Sequence, residues 1–317
     1  MGNVIPPLRP NRAIEGISAV LLPFGEDDRP DWECYRRLLD HTWAAGLTPA
    51  VNMDTGYVNL ISPAERREAL AAALEVGAGR RFVAGAFIED DQGAPADRYR
   101  KTVAQIRGAG GTPILFQCSA LRGASEREVL DVYATVARDG GPLLAFELGT
   151  VFAPFGRIYS TGFFQGLMQI EAFTGVKHSS LDRSLEWERL ALRDRERPEF
   201  RIYTGNDLAI DMVFYGSDYL LGLSAFAVDA FAARDRAWAA GNSQALVLND
   251  LLQYLGQFTF RTPVPAYKHS AAQFLHHRGL TATDRTHPRS PVRPASDIVV
   301  LADLSRRLDE ALAAGQS

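Results

Sequence analysis

Apolar residues along this chain gather in short, near-continuous runs. They begin near Gly16 (GISAVLLPF), Leu47 (LTPAVNMDTGY), Phe82 (FVAGAFIED), Thr112 (TPILFQCS), Leu143 (LLAFELG), Phe173 (FTGVKHSS), Phe200 (FRIYTGND) and Tyr219 (YLLGLSAFAV). Continuous runs, rather than clean alternations, are the pattern of parallel strands covered on both faces. Their spacing is roughly 30 residues until the last step, about what eight βα units in ~250 residues require.

The intervening segments carry helix signals. Ser62-Pro63-Ala64-Glu65 predicts a capping box with proline at the first helical position, and Ser125 with Glu128 repeats the device. Asp31 opens a segment that places Trp32, Tyr35, Leu38, Leu39 and Trp43 on one face before Gly46, and Asp182 can cap the helix after the sixth run. Eight alternations of strand and helix mean a closed barrel or an open doubly wound sheet of the α/β class. No strand ends in a GxGxxG loop, which removes support for dinucleotide binding and favours a (β/α)8, TIM-type, barrel. From Ala230 the pattern turns helical, through QALVLNDLLQYLGQF and AYKHSAAQFLHHRG to a last helix near Asp297–Ala314. The expected organisation is a barrel over residues 1–228 and a C-terminal helical extension over 229–317, packed on it without a linker.

Composition narrows the function classes. The chain has 317 residues, 46% hydrophobic and 23% charged, with a formal net charge of -4, so no basic surface advertises nucleic acid or anionic lipid. No apolar run approaches the ~20 residues of a membrane span, and the first dozen residues lack a signal-like stretch, so a cytoplasmic location is expected. The two cysteines, Cys34 and Cys118, fit a reducing compartment rather than a disulfide framework. Six histidines show no HxH or HExxH spacing, and adjacent His276 and His277 diverge on a helix, so no metal site is predicted.

Reactive groups of such barrels sit at the carboxyl ends of strands. That rule selects Asp54, Thr55 and Tyr57 after strand two, Glu89 and Asp90 after three, and Gln117, Cys118 and Ser119 after four. It adds Phe146 and Glu147 after strand five, Lys177 and His178 after six, and Asn206 and Asp207 after seven. Of 34 basic residues only Lys101, Lys177 and Lys268 are lysines, and Lys177 closes an apolar run whose alternation puts Phe173, Gly175 and Lys177 on one face. Inside a barrel its ammonium would lie in a low-dielectric site and its pKa would fall. A neutral amine there can attack a carbonyl and form a Schiff base. The competing reading is a lysine bridging two carboxylates at the barrel mouth.

GISAVLLPF, DTG at Asp54–Gly56, GVK at Gly175–Lys177, TGND at Thr204–Asp207 and the tail PVPAYKHSAAQFLHHRG followed by SPVRP resemble the dihydrodipicolinate synthase/N-acetylneuraminate lyase family. The similarity spans essentially the whole chain in the right order. It implies a barrel with a C-terminal helical extension and a class I lyase using Lys177 on pyruvate or another 2-keto acid. It also implies a homo-oligomer, tetramer or dimer. By the same resemblance Thr55 and Gly56 would anchor substrate, Arg157 would lie near the carboxylate-binding arginine, and Lys268 would occupy a structural helix position.

Departures from that pattern are equally informative. Where the family reads GTTGE this chain reads MDTGY, so Asp54 replaces a threonine and Tyr57 a glutamate. An ionised Asp54 would repel a keto-acid carboxylate, since like charges at ~4 Å cost several kcal/mol at a partly screened site. Phe146-Glu147 stands where a YN pair carries the catalytic tyrosine, and Cys118-Ser119-Ala120 replaces PYY. The proton relay must therefore come from elsewhere, with Asp54 the leading candidate and Tyr57, Glu147 and Tyr159 behind it. Glu147 alternates with Phe146, which makes it a weaker candidate, His178 alternates away from Lys177, and the Arg-rich segment Arg189–Arg201 reads as a solvated helix end. The expected function is a cofactor-independent Schiff-base lyase, an aldolase or dehydratase acting on a small oxo substrate. Lys177 is its nucleophile, Asp54 its acid/base, and Thr55, Gly56, Tyr57, Phe146, Arg157 and Asn206 surround the substrate. The alternative is a catalytically silent barrel that binds a carbonyl or sugar-acid ligand.

Overall fold

A computed structural model describes residues 5–315 and turns the eight apolar runs into eight strands. They are β1 (Gly16–Ala19), β2 (Thr48–Val51), β3 (Val83–Ala86), β4 (Thr112–Leu115), β5 (Leu143–Leu148), β6 (Phe173–Ser179), β7 (Arg201–Thr204) and β8 (Asp218–Leu221). Each pairs in parallel with the next, and β8 pairs with β1, so the sheet closes. Seven helices alternate with the strands: α1 (Trp32–Ala45), α2 (Pro63–Gly77), α3 (Pro95–Gly108), α4 (Glu126–Ala137), α5 (Thr161–Met168), α6 (Arg183–Glu196) and, after β8, α7 (Val228–Ala239). The fold is a (β/α)8 barrel.

The helix starts lie where the caps predict. Ser62 Oγ accepts from Glu65 N–H at 3.2 Å while the Glu65 carboxylate accepts from Ser62 N–H at 2.7 Å. Ser125 and Glu128 form the same box, and Asp31 and Asp182 accept from Cys34 and Ser184 N–H. Caps of this kind contribute about 1 kcal/mol each. The core has two shells. Ile17, Ala50, Val83, Ile114, Leu144 and Leu220 fill the barrel interior. A larger apolar layer lies between strands and helices.

The boundary expected at 228/229 falls at the start of α7, which packs on α1 and β1 and closes the ring after a short 3-10 helix, Ile210–Tyr215, that takes the helical position after β7. The appended helices are α8 (Gln244–Thr259), α9 (Tyr267–His277) and α10 (Asp297–Ala314). Helix α8 packs on α7, and α10 packs on both α8 and α9. This arrangement brings the start of α9 back over the carboxyl end of the barrel, beside the turn that follows β2. Among the described residues no helix is long and apolar enough to cross a membrane.

Candidate active site

Strand β6 carries the lysine that faces the barrel cavity. Its register against β5 slips between Leu143 and Leu144, so Leu143 faces Phe173 while Leu144 faces Gly175. Phe173 consequently lies outside the barrel, stacked on Tyr133 with centroids 5.4 Å apart, and does not share a face with Lys177. This corrects the simple alternation drawn from the sequence: the irregularity inserts one residue and flips everything before it. Beyond the slip, Lys177 and Ser179 point into the barrel and line its cavity. Two glycines make room. A Cβ on Gly175 would come within 2.9 Å of the Tyr203 ring, and one on Gly205 within 2.8 Å of Lys177 Cε.

The cavity encloses about 810 Å³ including its open mouth. Lys177 is 9% exposed, and its Nζ sits 4.4 Å from the centroid of the Phe146 ring. Burial pushes its amine down to about 8, with the charges of Asp207 and Asp54 opposing the shift. Asp207 lies in the turn after β7, lines the same cavity and accepts from Leu223 N–H at 2.8 Å. Burial pushes its carboxyl up to about 6, against that backbone hydrogen bond and the pull of Lys177.

Asp54 begins a single helical turn, Asp54–Gly56, after β2. Both its carboxylate oxygens accept from Lys268 Nζ at 3.1 Å, and one accepts from the Tyr267 hydroxyl at 2.9 Å. Burial pushes this carboxyl up, but Lys268 and Tyr267 outweigh it and hold the group below its ordinary value. Asp54 is therefore a committed anion whose charge partner is Lys268 of α9, not Lys177. The hydroxyl of Tyr267 also lies 2.9 Å from Thr55 Oγ1. Because Tyr267 spends its single proton on Asp54, Thr55 must donate to Tyr267, and its hydroxyl has no proton left for a ligand.

The remaining candidates divide by position. Asp54, Thr55, Phe146 and Lys177 line the cavity, whereas Gly56, Tyr57, Arg157 and Asn206 do not. Tyr57 is buried behind the β2 turn, edge-on to Phe24 at 5.5 Å. Asn206 points away from the interior and accepts from Leu208 N–H at 3.1 Å. Arg157 donates to the Ala124 carbonyl at 2.8 Å, and its backbone is bracketed by the Gln117 side-chain amide, with both hydrogen bonds 2.8 Å. That amide staples the loop after β5 in place, which carries Phe152 and Phe155 to the cavity.

Glu147 and Tyr159 also lie outside the barrel. The Glu147 carboxylate accepts from Tyr159 N–H at 2.7 Å and pairs with His178 Nδ1 at 2.6 Å and Arg189 at 3.1 Å. Burial pushes this acid up, but His178 and Arg189 hold it below its ordinary value. The Tyr159 ring stacks on Phe163, with centroids 3.7 Å apart. The segment Arg189–Arg201, expected to be solvated, instead buries Arg189 and Arg193. Arg189 donates to Glu147 and the Tyr159 carbonyl, and Arg193 to the carbonyls of Phe200 and Gly216.

Ser179, Asn59 and Tyr267 line the cavity and escaped sequence reasoning as site groups, while Asp207, selected only as a strand end, lines it in place of Asn206. A local signal for Asp207 existed, because Tyr203 faces inward and the period of two carries that face through Gly205 to Asp207, leaving Asn206 outside. Among the described residues no three His, Cys, Asp or Glu side chains cluster to hold a metal ion.

Solved structures with the same architecture belong to the dihydrodipicolinate synthase family. The Thermotoga maritima dihydrodipicolinate synthase is 16% identical and superposes with a TM-score of 0.80, over 94% of this chain and 99% of that one. An Escherichia coli K12 prophage protein of the dihydrodipicolinic acid synthase family, solved with pyruvate, gives 16% and 0.80 over 93% and 98%. The Agrobacterium tumefaciens dihydrodipicolinate synthase gives 20% and 0.75 over 93% and 98%. At these identities the likeness establishes a shared fold. No curated protein matches the chain. A family model matches residues 21–312, and the chain therefore belongs to the family described as protein of unknown function DUF993.

Proposed function

We propose that this protein is a class I lyase, an aldolase or dehydratase, in which Lys177 forms a Schiff base with a small oxo substrate. The observation that carries the reading is one amine, pushed down to about 8, facing a cavity at the carboxyl end of the barrel. At pH 7 that shift raises the neutral fraction of a lysine by roughly 300-fold over its ordinary value. The neutral amine adds to the carbonyl carbon, its proton passes to the oxygen, and loss of water with one proton supplied by a neighbouring acid leaves an iminium. The iminium then accepts the electron pair of an α C–H bond whose proton is removed, or of the Cα–Cβ bond as a β-hydroxyl loses its proton and becomes a carbonyl. Either gives an enamine; in a dehydratase the enamine expels a β-hydroxyl that is protonated as it leaves as water.

Asp207, rather than Asp54, is the proposed proton carrier. It lines the cavity with Lys177 and titrates near 6, whereas Asp54 is fixed as an anion by Lys268 and Tyr267. Asp54 and Thr55 are proposed to shape and charge the wall opposite. The shared fold with a dihydrodipicolinate synthase and with a family member solved with pyruvate supports the reading at the level of architecture. Phe146 beside the amine, which can move no proton, favours the second reading of a barrel that binds a carbonyl compound without turnover. Borohydride reduction in the presence of oxo compounds, read by peptide mass spectrometry, tests the first. The expected result is an adduct on Lys177 that vanishes in Lys177→Ala. Folded protein giving no adduct with keto acids, aldehydes or ketones would move the assignment to the second.

A further inference from the structure

The wall of the cavity is aromatic. Phe87, Phe116 and Phe146, from the ends of three successive strands, form an edge-to-face ladder with centroids 5.9 and 5.0 Å apart. The ladder ends at Lys177, whose Nζ lies 4.4 Å from the last ring. Phe152 and Phe155 of the stapled loop add to the same cavity. Rings arranged edge-to-face offer flat surface and open ring edges to another aromatic group.

The charge of the cavity points the same way. Among the described residues lining it, Lys177 is the one cation, set against the carboxylates of Asp54 and Asp207. No guanidinium reaches it, since Arg157 is turned to the Ala124 carbonyl. The Thr55 hydroxyl spends its proton on Tyr267 and cannot bind an anion. A ligand carboxylate would enter between two acids, met by the neutral side chains of Ser179 and Asn59 and by no cation beyond Lys177, an arrangement penalised by repulsion.

We infer that the compound this cavity selects is an uncharged aldehyde or ketone carrying a flat apolar group, an aryl ketone or aldehyde in the simplest case, and not a 2-keto acid. The aromatic ladder holds the ring, Lys177 meets the carbonyl, and Asp54 with Asp207 excludes acids. The covalent part of this inference rests on the imine reading above, but the selection of an uncharged aromatic ligand does not.

Two measurements on the full chain separate them. Calorimetric titration with 1-phenyl-2-propanol and with phenyllactate, which cannot form an imine, ranks uncharged against charged aromatic ligands. The uncharged alcohol is expected to bind at least tenfold tighter; phenyllactate binding equally well or better, or neither binding at millimolar concentration, overturns the inference. Reductive trapping with phenylacetone, acetone, phenylpyruvate and pyruvate then reads the imine. Phenylacetone is expected to label Lys177 at least tenfold faster than pyruvate. Calorimetric preference without any label would leave the selectivity standing and remove the imine. Asp54→Asn should narrow the gap between the two calorimetric ligands at least threefold, and an unchanged gap overturns the role given to that carboxylate. Should that variant fail to fold, Phe116→Ala makes the equivalent test from the apolar side, with weaker binding of the uncharged alcohol expected and unchanged binding counting against the ladder.

Discussion

Lys177 and His178 are neighbours on one strand and live in opposite chemical worlds. His178 faces the helix layer, where Glu147 takes one ring nitrogen at 2.6 Å and Ser180 Oγ the other at 2.7 Å. Arg189 completes that cluster, and none of His178, Glu147 and Arg189 is more than 1% exposed. Lys177 faces the cavity, where it meets an aromatic face and feels two carboxylates through space. Direct hydrogen bonds among these charged groups make the outer cluster a fastener between β5, β6 and α6. The inner residue is held without such partners, so its proton is loosely bound. Burial alone does not produce reactivity; burial without compensation does.

Replacing Lys177 separates the two faces most sharply. Lys177→Met should abolish reductive labelling altogether while stability at pH 7 stays level or rises by about 1–3 kcal/mol, as urea denaturation would measure. The sign follows from the lowered folded-state value of about 8. Between that value and the unfolded one the unfolded chain binds more protons, so wild-type stability climbs with pH there and the variant should lose that slope. A variant that unfolds readily would place Lys177 among the structural residues.

On the other face, Glu147→Ala should destabilise by about 3–5 kcal/mol, because it strands a buried guanidinium and imidazole. Labelling per folded molecule should change little. A loss of labelling in protein that remains folded would mean that the fastener also positions the amine. Asp207→Asn comes next, slowing turnover by about 10²-fold with stability nearly unchanged, in line with the worth of one positioned acid/base. Normal turnover in that variant would return the proton step to Asp54 or Tyr267.

The pH dependence is the mildest probe. On the proposed mechanism the neutral amine is the nucleophile, so imine formation should fall by roughly 25-fold from pH 8.5 to 6.5 for a group pushed down to about 8. Short incubations at each pH, quenched into one borohydride buffer, would measure it. A flat profile would contradict the perturbed lysine.

Much of the architecture was legible in local pattern. Each of the eight strands starts within a residue of its apolar run, and the last helix spans Asp297–Ala314 as expected. The capping boxes at Ser62 and Ser125 formed because their partners lie three residues apart and need nothing beyond the helix itself. That Lys177 faces opposite to His178, and Phe146 opposite to Glu147, likewise follows from a period of two, while which face is the interior is decided by the closed barrel. The same reasoning misplaced Phe173, where a register slip interrupted the period.

What local windows could not reveal were partnerships across the chain. Asp54 reads as a free acid until Tyr267 and Lys268, more than 200 positions away, close on it. Arg189 reads as a surface charge until β5 delivers Glu147 beneath it. Arg157 follows a strand end that faces the site, yet Gln117 and Ala124 turn it elsewhere. The physical reason is common to all three. Element type and facing direction are set by sterics and burial over a few residues, so the amino-acid order dictates the barrel and puts an amine inside it. Protonation state and ligand choice depend on which charges and donors the packed helices bring within a few ångströms, and only the docking of α6, α9 and the loop after β5 decides that.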